Sequence, residues 1–260
     1  MAQTPAMVET SLAQAIASLR LEGFAEALWQ VCRALAAPDN LIVMAYRDAG
    51  PPLVLLTRAE NPKVYARLEE GYLAGAYRLD PYYELHLARA AEGAYRIRDI
   101  APDAFQRSRY FIEYFGQTTL IDEIAFVVPL AEGVSLNLCL GRDARSGRMF
   151  GAGEMAACQR MSPVLAALAR AEWRGVERGT GTVEDMPALL IEAARGQGIR
   201  LSPRQAMVAL LILRGHSTTS IGLRLGVSSQ TVKVFRKQLY QRCGISSQAE
   251  LFSLMLPLLG

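Results

Sequence analysis

The sequence predicts an α+β chain in two parts: an N-terminal α/β/α sandwich built on an antiparallel sheet, and a C-terminal unit of four short helices. Three observations lead there. Two pairs of short, apolar, β-branched runs, LIVMAYR with PLVLLTR and IAFVVPL with SLNLCLGR, are each joined by a turn containing Gly. Helical apolar spacing fills the stretches around them, so helices and strands come in blocks, which favours antiparallel pairing over a doubly wound parallel sheet. After residue 201, Ser or Thr and then Gly bracket successive helix-length segments.

In chain order, residues 10–36 carry a helical stripe of Leu12, Ile16, Leu19, Phe24, Leu28 and Val31, broken near Glu22-Gly23. The runs 41–47 and 52–58 form a hairpin around DAGPP. A helix is expected over 62–76. IRDIAPDAFQRSRYFIEYFG then suggests a short extended piece followed by a helix over 102–115. Strands at 124–130 and 135–142 turn at AEGV, and a long helix covers 153–174. This order is that of an α/β/α sandwich of the GAF or PAS kind. RGVERGTGTVEDM is Gly-rich and polar, as linkers are. We therefore expect a ligand-sensing domain over 1–174, a linker over 175–197 with a short helix near 186–196, and a second domain over 198–260.

With 51% hydrophobic and 20% charged residues the composition is that of a soluble globular protein. The net charge of +3 is unevenly shared: residues 201–260 hold seven basic side chains against one acid, Glu250, whereas residues 1–200 hold 21 basic and 24 acidic ones. A basic module following a slightly acidic one is the footprint of a partner that is a polyanion. The opening MAQTPAMVET is polar, unlike a signal peptide, and no apolar run reaches the ~18 residues needed to span a bilayer. No membrane association and a cytoplasmic location are expected. Cys32, Cys139, Cys158 and Cys243 lack metal-ligand or CxxC spacing, so reduced structural thiols are expected. There are only two histidines, His86 and His216, and no GxSxG, HExxH or GxxxxGK[ST]. Neither an enzyme, a metal site nor a cofactor is indicated.

The C-terminal helices are legible from their ends. Ser202 caps and Pro203 opens the first, which stops at Gly215; Ser217, Thr218 or Thr219 caps the second, which ends at Gly226. Ser228 or Ser229 caps the third, closed by Gly244, and SQAELFSLMLPLL forms the fourth. Together they make a helix-turn-helix unit with two supporting helices. On the third, Val232, Phe235, Leu239 and Cys243 form an inward stripe. Gln230, Lys233, Val234, Lys237 and Gln241 form an outer face, with Arg236 beside it and no acid among them. A solvated face ordinarily mixes signs; an all-cation face suits the phosphates and base edges of double-stranded DNA.

LSPRQAMVALLILRGHSTTSIGLRLGVSSQTVKVFRKQLYQRCGISSQAEL resembles the LuxR/FixJ-type (GerE-like) DNA-binding domain, including its TVK core at Thr231, Val232 and Lys233. The sequence departs from that pattern at Gln205 (usually Glu), Gly222 (usually Ala) and Phe235 (commonly His). Loss of the Glu is expected to weaken a buried polar contact, and the Gly to cost about 1 kcal/mol of helix propensity. The resemblance implies that the third helix enters the major groove. Lys233, Val234 and Lys237 would then read base edges, with Ser229, Gln230, Thr231 and Arg236 near the backbone or groove edge. It also implies a homodimer, for which the 153–174 helix and the fourth C-terminal helix are candidate surfaces, and RNA polymerase as a further partner.

What the N-terminal part senses is a separate question. Residues 1–60 lack the acidic, strand-first opening of a phosphorylated receiver. GYLAGAYRLDPYYELHL is loosely similar to the autoinducer-binding domains of LuxR-type quorum sensors, in which aromatic residues precede an Asp-Pro whose carboxylate meets the ligand amide. The Trp that such domains place about 13 residues before the Asp is absent; residue 67 is Arg. Three readings stay open: a GAF/PAS-like sensor of another small-molecule effector, an acyl-homoserine-lactone receptor, and control by protein contact. The candidate pocket comprises Asp80, Tyr65, Tyr72 and Tyr77, with Tyr110, Tyr114 and Glu123 as further lining, suited to a polar or cationic ligand. Asp80 is equally a candidate cap for the helix that starts at Pro81.

Overall fold

The computed structural model describes residues 5–176 and 185–259. In chain order it has α1 (Pro5–Ala17), α2 (Phe24–Ala36), β1 (Asn40–Arg47), β2 (Leu53–Ala59), α3 (Pro81–Leu87), β3 (Gly93–Arg96), α4 (Ile97–Ile100), α5 (Arg109–Glu113), β4 (Leu120–Ala131), β5 (Val134–Asp143) and α6 (Ala152–Trp173). There follow α7 (Met186–Gly196), α8 (Pro203–Arg214), α9 (Thr218–Leu225), α10 (Ser229–Cys243) and α11 (Gln248–Leu259). By compactness the chain divides into two units. One comprises Met1–Ala66, Leu85–Ile100 and Thr119–Gly181; the other comprises Arg67–Glu84, Ala101–Thr118 and Thr182–Gly260.

The first unit holds a five-stranded, fully antiparallel sheet in the order β2-β1-β5-β4-β3. The two expected hairpins are its β1–β2 and β4–β5 pairs. Leu41, Val43 and Ala45 of β1, Ile124, Phe126 and Val128 of β4, and Leu136, Leu138 and Leu140 of β5 share one face. They form a single core with Phe24, Leu28, Val31 and Cys32 of α2 and with Cys158, Leu165, Ala166 and Ala169 of α6. The alternate positions, among them Met44, Tyr46, Val127, Asn137 and Cys139, are buried as well. Burial of both faces explains why these strands read as continuous apolar runs.

Polar groups at the sheet ends are paired internally, as burial demands. Asp122 takes Arg96 Nη2 at 2.5 Å and the Phe150 amide at 2.9 Å. Arg142 donates to the Ala36 carbonyl at 2.8 Å and to Glu154 at 2.8 Å. Asn40 donates to Asp143 at 2.8 Å, and a Cβ on the facing Gly141 would lie 2.1 Å from Asn40 Oδ1.

Two expected helices are not regular helices. Over 62–76 the chain makes a 3₁₀ turn (Pro62–Tyr65), a π turn (Leu68–Leu73) and, after Gly75, another 3₁₀ turn (Ala76–Leu79). Gly75 at φ 155° has left helical backbone space, which periodicity does not reveal. Over 102–115 only α5 is α-helical: Ser108 is extended and caps it by accepting the Phe111 amide at 3.1 Å. The extended piece expected near 97 lies earlier, as β3; Ile97–Ile100 is a helical turn.

His86 of α3 faces the sheet. Its Nδ1 lies 2.8 Å from Ser135 Oγ, its Nε2 lies 3.4 Å from Asp48, its ring is tilted against Tyr46, and Arg89 pairs with the same Asp48 oxygen at 2.5 Å. Burial first, then the Arg89 charge, holds its pKa down at about 4, against the pull of Asp48. A depressed histidine contributes stability that is complete above its unfolded value near 6.5 and lost as pH falls towards 4. Asp80 and Asp143 have raised pKa values and act with the opposite sign, so the difference between variants isolates the histidine. Urea midpoints measured from pH 7 to pH 4 should fall less steeply in His86→Gln than in the wild type.

Candidate functional site

The C-terminal helices are joined by turns whose caps are satisfied locally. Ser202 Oγ accepts the Gln205 amide at 3.3 Å, and Gln205 Oε1 accepts the Ser202 amide at 3.0 Å, a complete capping box. Gln205 therefore keeps, 2% exposed, the buried polar contact that its substitution for Glu was expected to weaken. Ser217 Oγ accepts the Ser220 amide at 3.2 Å, and Ser228 Oγ accepts the Thr231 amide at 3.0 Å. Gly215, Gly226 and Gly244 close α8, α9 and α10 in the left-handed region.

This architecture turns α10 as its stripe suggested. Val232 and Leu239 are buried, and Phe235 and Cys243 half-buried. Gln230, Lys233, Val234 and Lys237 are exposed, with Val234 45% exposed despite being apolar. Arg236 lies over the Tyr240 ring at 5.0 Å, which fixes its guanidinium beside the outer face. Ser229 and Thr231 sit at the N-terminal turn, where the Thr231 hydroxyl is 2.9 Å from Ser228 Oγ and so belongs to the cap. Among the described residues no acid pairs with Lys233, Arg236 or Lys237. The apolar-stripe reasoning did not single out α9, yet it carries Arg224 and an 81% exposed Leu223 on its surface. An exposed leucine has no periodicity signal of its own.

The sensor candidates are divided between the two units. In the second, Asp80 is buried and accepts three hydrogen bonds: from Tyr72 Oη at 2.7 Å, Tyr110 Oη at 3.2 Å and the Tyr82 amide at 2.8 Å. The last of these caps α3. Burial pushes the Asp80 pKa up, and the hydrogen bonds from Tyr72, Tyr82 and Tyr110 pull it down. Tyr114 extends the aromatic wall, 5.5 Å from Tyr72 and stacked on Tyr110 at 5.7 Å. Tyr77 is buried edge-on against Tyr83 at 5.1 Å, with the Arg78 guanidinium 4.7 Å above its ring. Tyr65 and Glu123 belong to the first unit. There Tyr65 Oη donates to the Arg58 carbonyl at 3.4 Å, and burial, then the Glu123 carboxylate, raises its pKa. Among the described residues no group of His, Cys, Asp and Glu side chains forms a metal site, and no helix is long and apolar enough to cross a membrane.

The model of bacterial regulatory proteins of the luxR family (GerE) matches residues 200–255. A protein of Aeromonas salmonicida named as an HTH-type transcriptional regulator in the exeN 3' region is 32% identical over 155 residues, covering 56% of this chain and 78% of that protein. The chain belongs to the LuxR family of transcriptional regulators. The LBD domain of VqsR from Pseudomonas aeruginosa has the same fold over 65% of this chain and 98% of its own, with 25% identity and a TM-score of 0.54. Escherichia coli SdiA aligns over 97% of this chain and 96% of its own with 16% identity and a TM-score of 0.43.

As a LuxR-family helix-turn-helix, the chain carries one departure that the structure explains. A Cβ on Gly222 would meet the Val227 carbonyl oxygen at 2.8 Å. The Gly222 carbonyl in turn accepts the Val227 amide at 3.0 Å, so the turn into α10 closes directly over this residue. Glycine is the fitting residue here, and its expected propensity cost buys a tighter turn. Gly222→Ala should lower the thermal midpoint although alanine is the better helix former, because overpacking costs about 1–3 kcal/mol against about 1 kcal/mol gained. Thermal denaturation followed by circular dichroism checks this.

Proposed function

We propose that this LuxR-family regulator acts in the cytoplasm as a homodimer. A small molecule bound by its N-terminal part would set its affinity for operator DNA, with RNA polymerase as the downstream partner. The observation that carries the DNA half is the acid-free cationic face of α10, exposed along its length. Lys233 and Lys237 donate to guanine O6 and N7, Val234 meets a thymine methyl, and Ser229, Gln230, Thr231 and Arg236 lie towards the backbone and groove edge. A two-fold dimer would match half-sites one helical turn apart, with α6 and α11 as its candidate surfaces.

On the sensor side the reading centres on Asp80, Tyr72, Tyr77 and Tyr110, with Tyr65 and Glu123 as outlying candidates. A carboxylate carries about four acceptor positions, and three donors reach Asp80. The remaining position, inside an aromatic wall, suits an effector bearing an amide N–H or an ammonium group.

Lys233→Ala and Lys237→Ala should each weaken binding to a duplex selected by the wild-type protein by about 10- to 100-fold, corresponding to ~1–3 kcal/mol per lost base contact, with the circular dichroism spectrum unchanged. Unchanged gel-shift affinity in both would refute the assignment of α10. In a thermal-shift screen of amines, amino acids and lactones, Asp80→Asn should abolish the shift given by the best wild-type hit. An undiminished shift removes Asp80 from the effector site.

A further inference from the structure

The first unit gathers a serine, a histidine and an aspartate from three separate segments. Asp48 follows β1, His86 lies on α3 and Ser135 on β5. Ser135 Oγ is 2.8 Å from His86 Nδ1, and on the other side of the ring Nε2 is 3.4 Å from Asp48 Oδ1. All three residues are more than nine-tenths buried. The Asp48 carboxylate, held by Arg89 at 2.5 Å, only accepts hydrogen bonds. Nε2 therefore carries the ring proton, and Nδ1 faces the Ser135 hydroxyl as an acceptor. Nucleophile, base and orienting carboxylate thus stand in the order by which serine hydrolases are recognised, with the two ring nitrogens exchanged.

His86 and Ser135 line a cavity of about 280 Å³, near the lower limit of ligand pockets at roughly 300 Å³. Val127 and Val134 belong to its buried lining, which suits a short aliphatic group, and Glu132 at the exposed margin disfavours an anion. Arg89 stands at the same margin. Its backbone is held at φ 52°, a left-handed conformation that is costly for a non-glycine residue and that clusters at functional sites. A guanidinium offers several N–H donors, of which Asp48 and, at 3.4 Å, the His86 carbonyl engage a part. The group can therefore donate to negative charge developing on a substrate oxygen in the cavity. Burial, then the Arg89 charge, keeps His86 neutral near physiological pH, the form that takes up a proton.

We propose that this cluster hydrolyses small, neutral carboxylic esters with a short aliphatic acyl group, with Ser135 as nucleophile and His86 as general base. Ser135 Oγ bonds to the ester carbonyl carbon as its proton passes to His86 Nδ1, and the carbonyl π electrons move to the oxygen, to which Arg89 donates. The oxyanion collapses and the bond to the alkoxide breaks; the alkoxide takes the proton from His86 and leaves as the alcohol. Water then attacks the acyl-Ser135 carbonyl carbon and gives a proton to His86, and Oγ regains that proton as the carboxylic acid departs. The sum is ester and water to acid and alcohol. Asp48 is a positioning residue, which fixes the ring tautomer and stabilises the imidazolium. This activity is independent of DNA binding and of the Asp80 cluster, which belongs to the other unit.

The test uses the full-length chain. A fluorophosphonate probe, which captures activated serine hydroxyls, should label the wild type, with the adduct mapped to Ser135 by peptide mass spectrometry. With p-nitrophenyl acetate as substrate, kcat should fall about 100-fold or more in Ser135→Ala and in His86→Gln, the scale of a lost nucleophile–base pair. In Asp48→Asn, kcat should fall about tenfold or more while KM stays within about twofold, the mark of a group that acts through the histidine. Ser162→Ala, which removes another buried serine of the same unit, should keep the wild-type rate and labelling. No adduct at Ser135, or a Ser135→Ala rate equal to that of the wild type, overturns the proposal, and neither outcome requires the histidine or aspartate variant to fold. Equal losses in Ser135→Ala and Ser162→Ala, or an undiminished kcat in Asp48→Asn, overturn it as well.

Discussion

Every residue of β5 is buried, as are seven of the eight residues of β1 and the stretch Asp122–Val128 of β4, which leaves the middle of the central sheet no face for water. The first unit follows from that constraint. A sheet covered on both sides there cannot send its polar side chains outward, and those at its ends find partners within the protein. The side-chain amide of Asn137, in the middle of β5, has by contrast no hydrogen-bond partner among the described residues. Asp122 is held by Arg96 and the Phe150 amide. Arg142 is held by the last carbonyl groups of α2 and by Glu154, and Asn40 by Asp143. Ala37, left-handed at φ 43°, ends α2 in a conformation unusual for alanine, and Arg142 takes its carbonyl. The same constraint places His86 against Ser135 as a neutral, hydrogen-bonded group and not as a charged one.

Asp80 poses the corresponding problem in the second unit. An ionised carboxylate away from water is costly unless donors surround it. Two phenols and a backbone amide do so, and the amide is at once the cap that starts α3. One side chain therefore has a local task, beginning a helix, and a longer-range one, gathering Tyr72 from one segment and Tyr110 from another. The segment with Tyr110 continues into the contact on Gly215 and Ser217. The aromatic cluster and the residues that touch the α8–α9 turn thus belong to one stretch of backbone.

How far this was legible in the sequence depends on how local the determinant is. Ser202, Ser217 and Ser228 cap, and Gly215, Gly226 and Gly244 terminate, through bonds to residues only a few positions away, so the C-terminal helices could be read almost residue by residue. The hairpins were equally clear, since β-branched runs and a Gly turn lie next to each other. Residues 62–76 and 102–115 were not, because helical spacing persists there while Gly75 and Ser108 hold the backbone outside the helix. Asp80 was found from its Pro81 neighbour, and Tyr110 was named as further lining, although the direct bond between positions thirty apart has no local signature. Tyr65 and Glu123 share the composition of that cluster and still fall in the other unit. At Gly222 the deciding atom is a carbonyl five residues further on, so composition suggested a cost where geometry makes a fit.

The sheet order has a bearing on how the chain is made. β1 pairs with β2 at once but also with β5, where Asn40 meets Gly141 about a hundred residues later. At about 5–20 residues per second of synthesis, the β1–β2 hairpin waits roughly 5–20 s with its β5-pairing edge open. Non-local pairing of this kind is slow to close and open to wrong partners in the interval. The basic helices after residue 201, held by neighbouring caps, need no such wait. During biosynthesis the vulnerable part of this regulator is thus its sheet-bearing unit, and conditions that slow translation or crowd nascent chains should reduce its yield well before they touch the C-terminal helices.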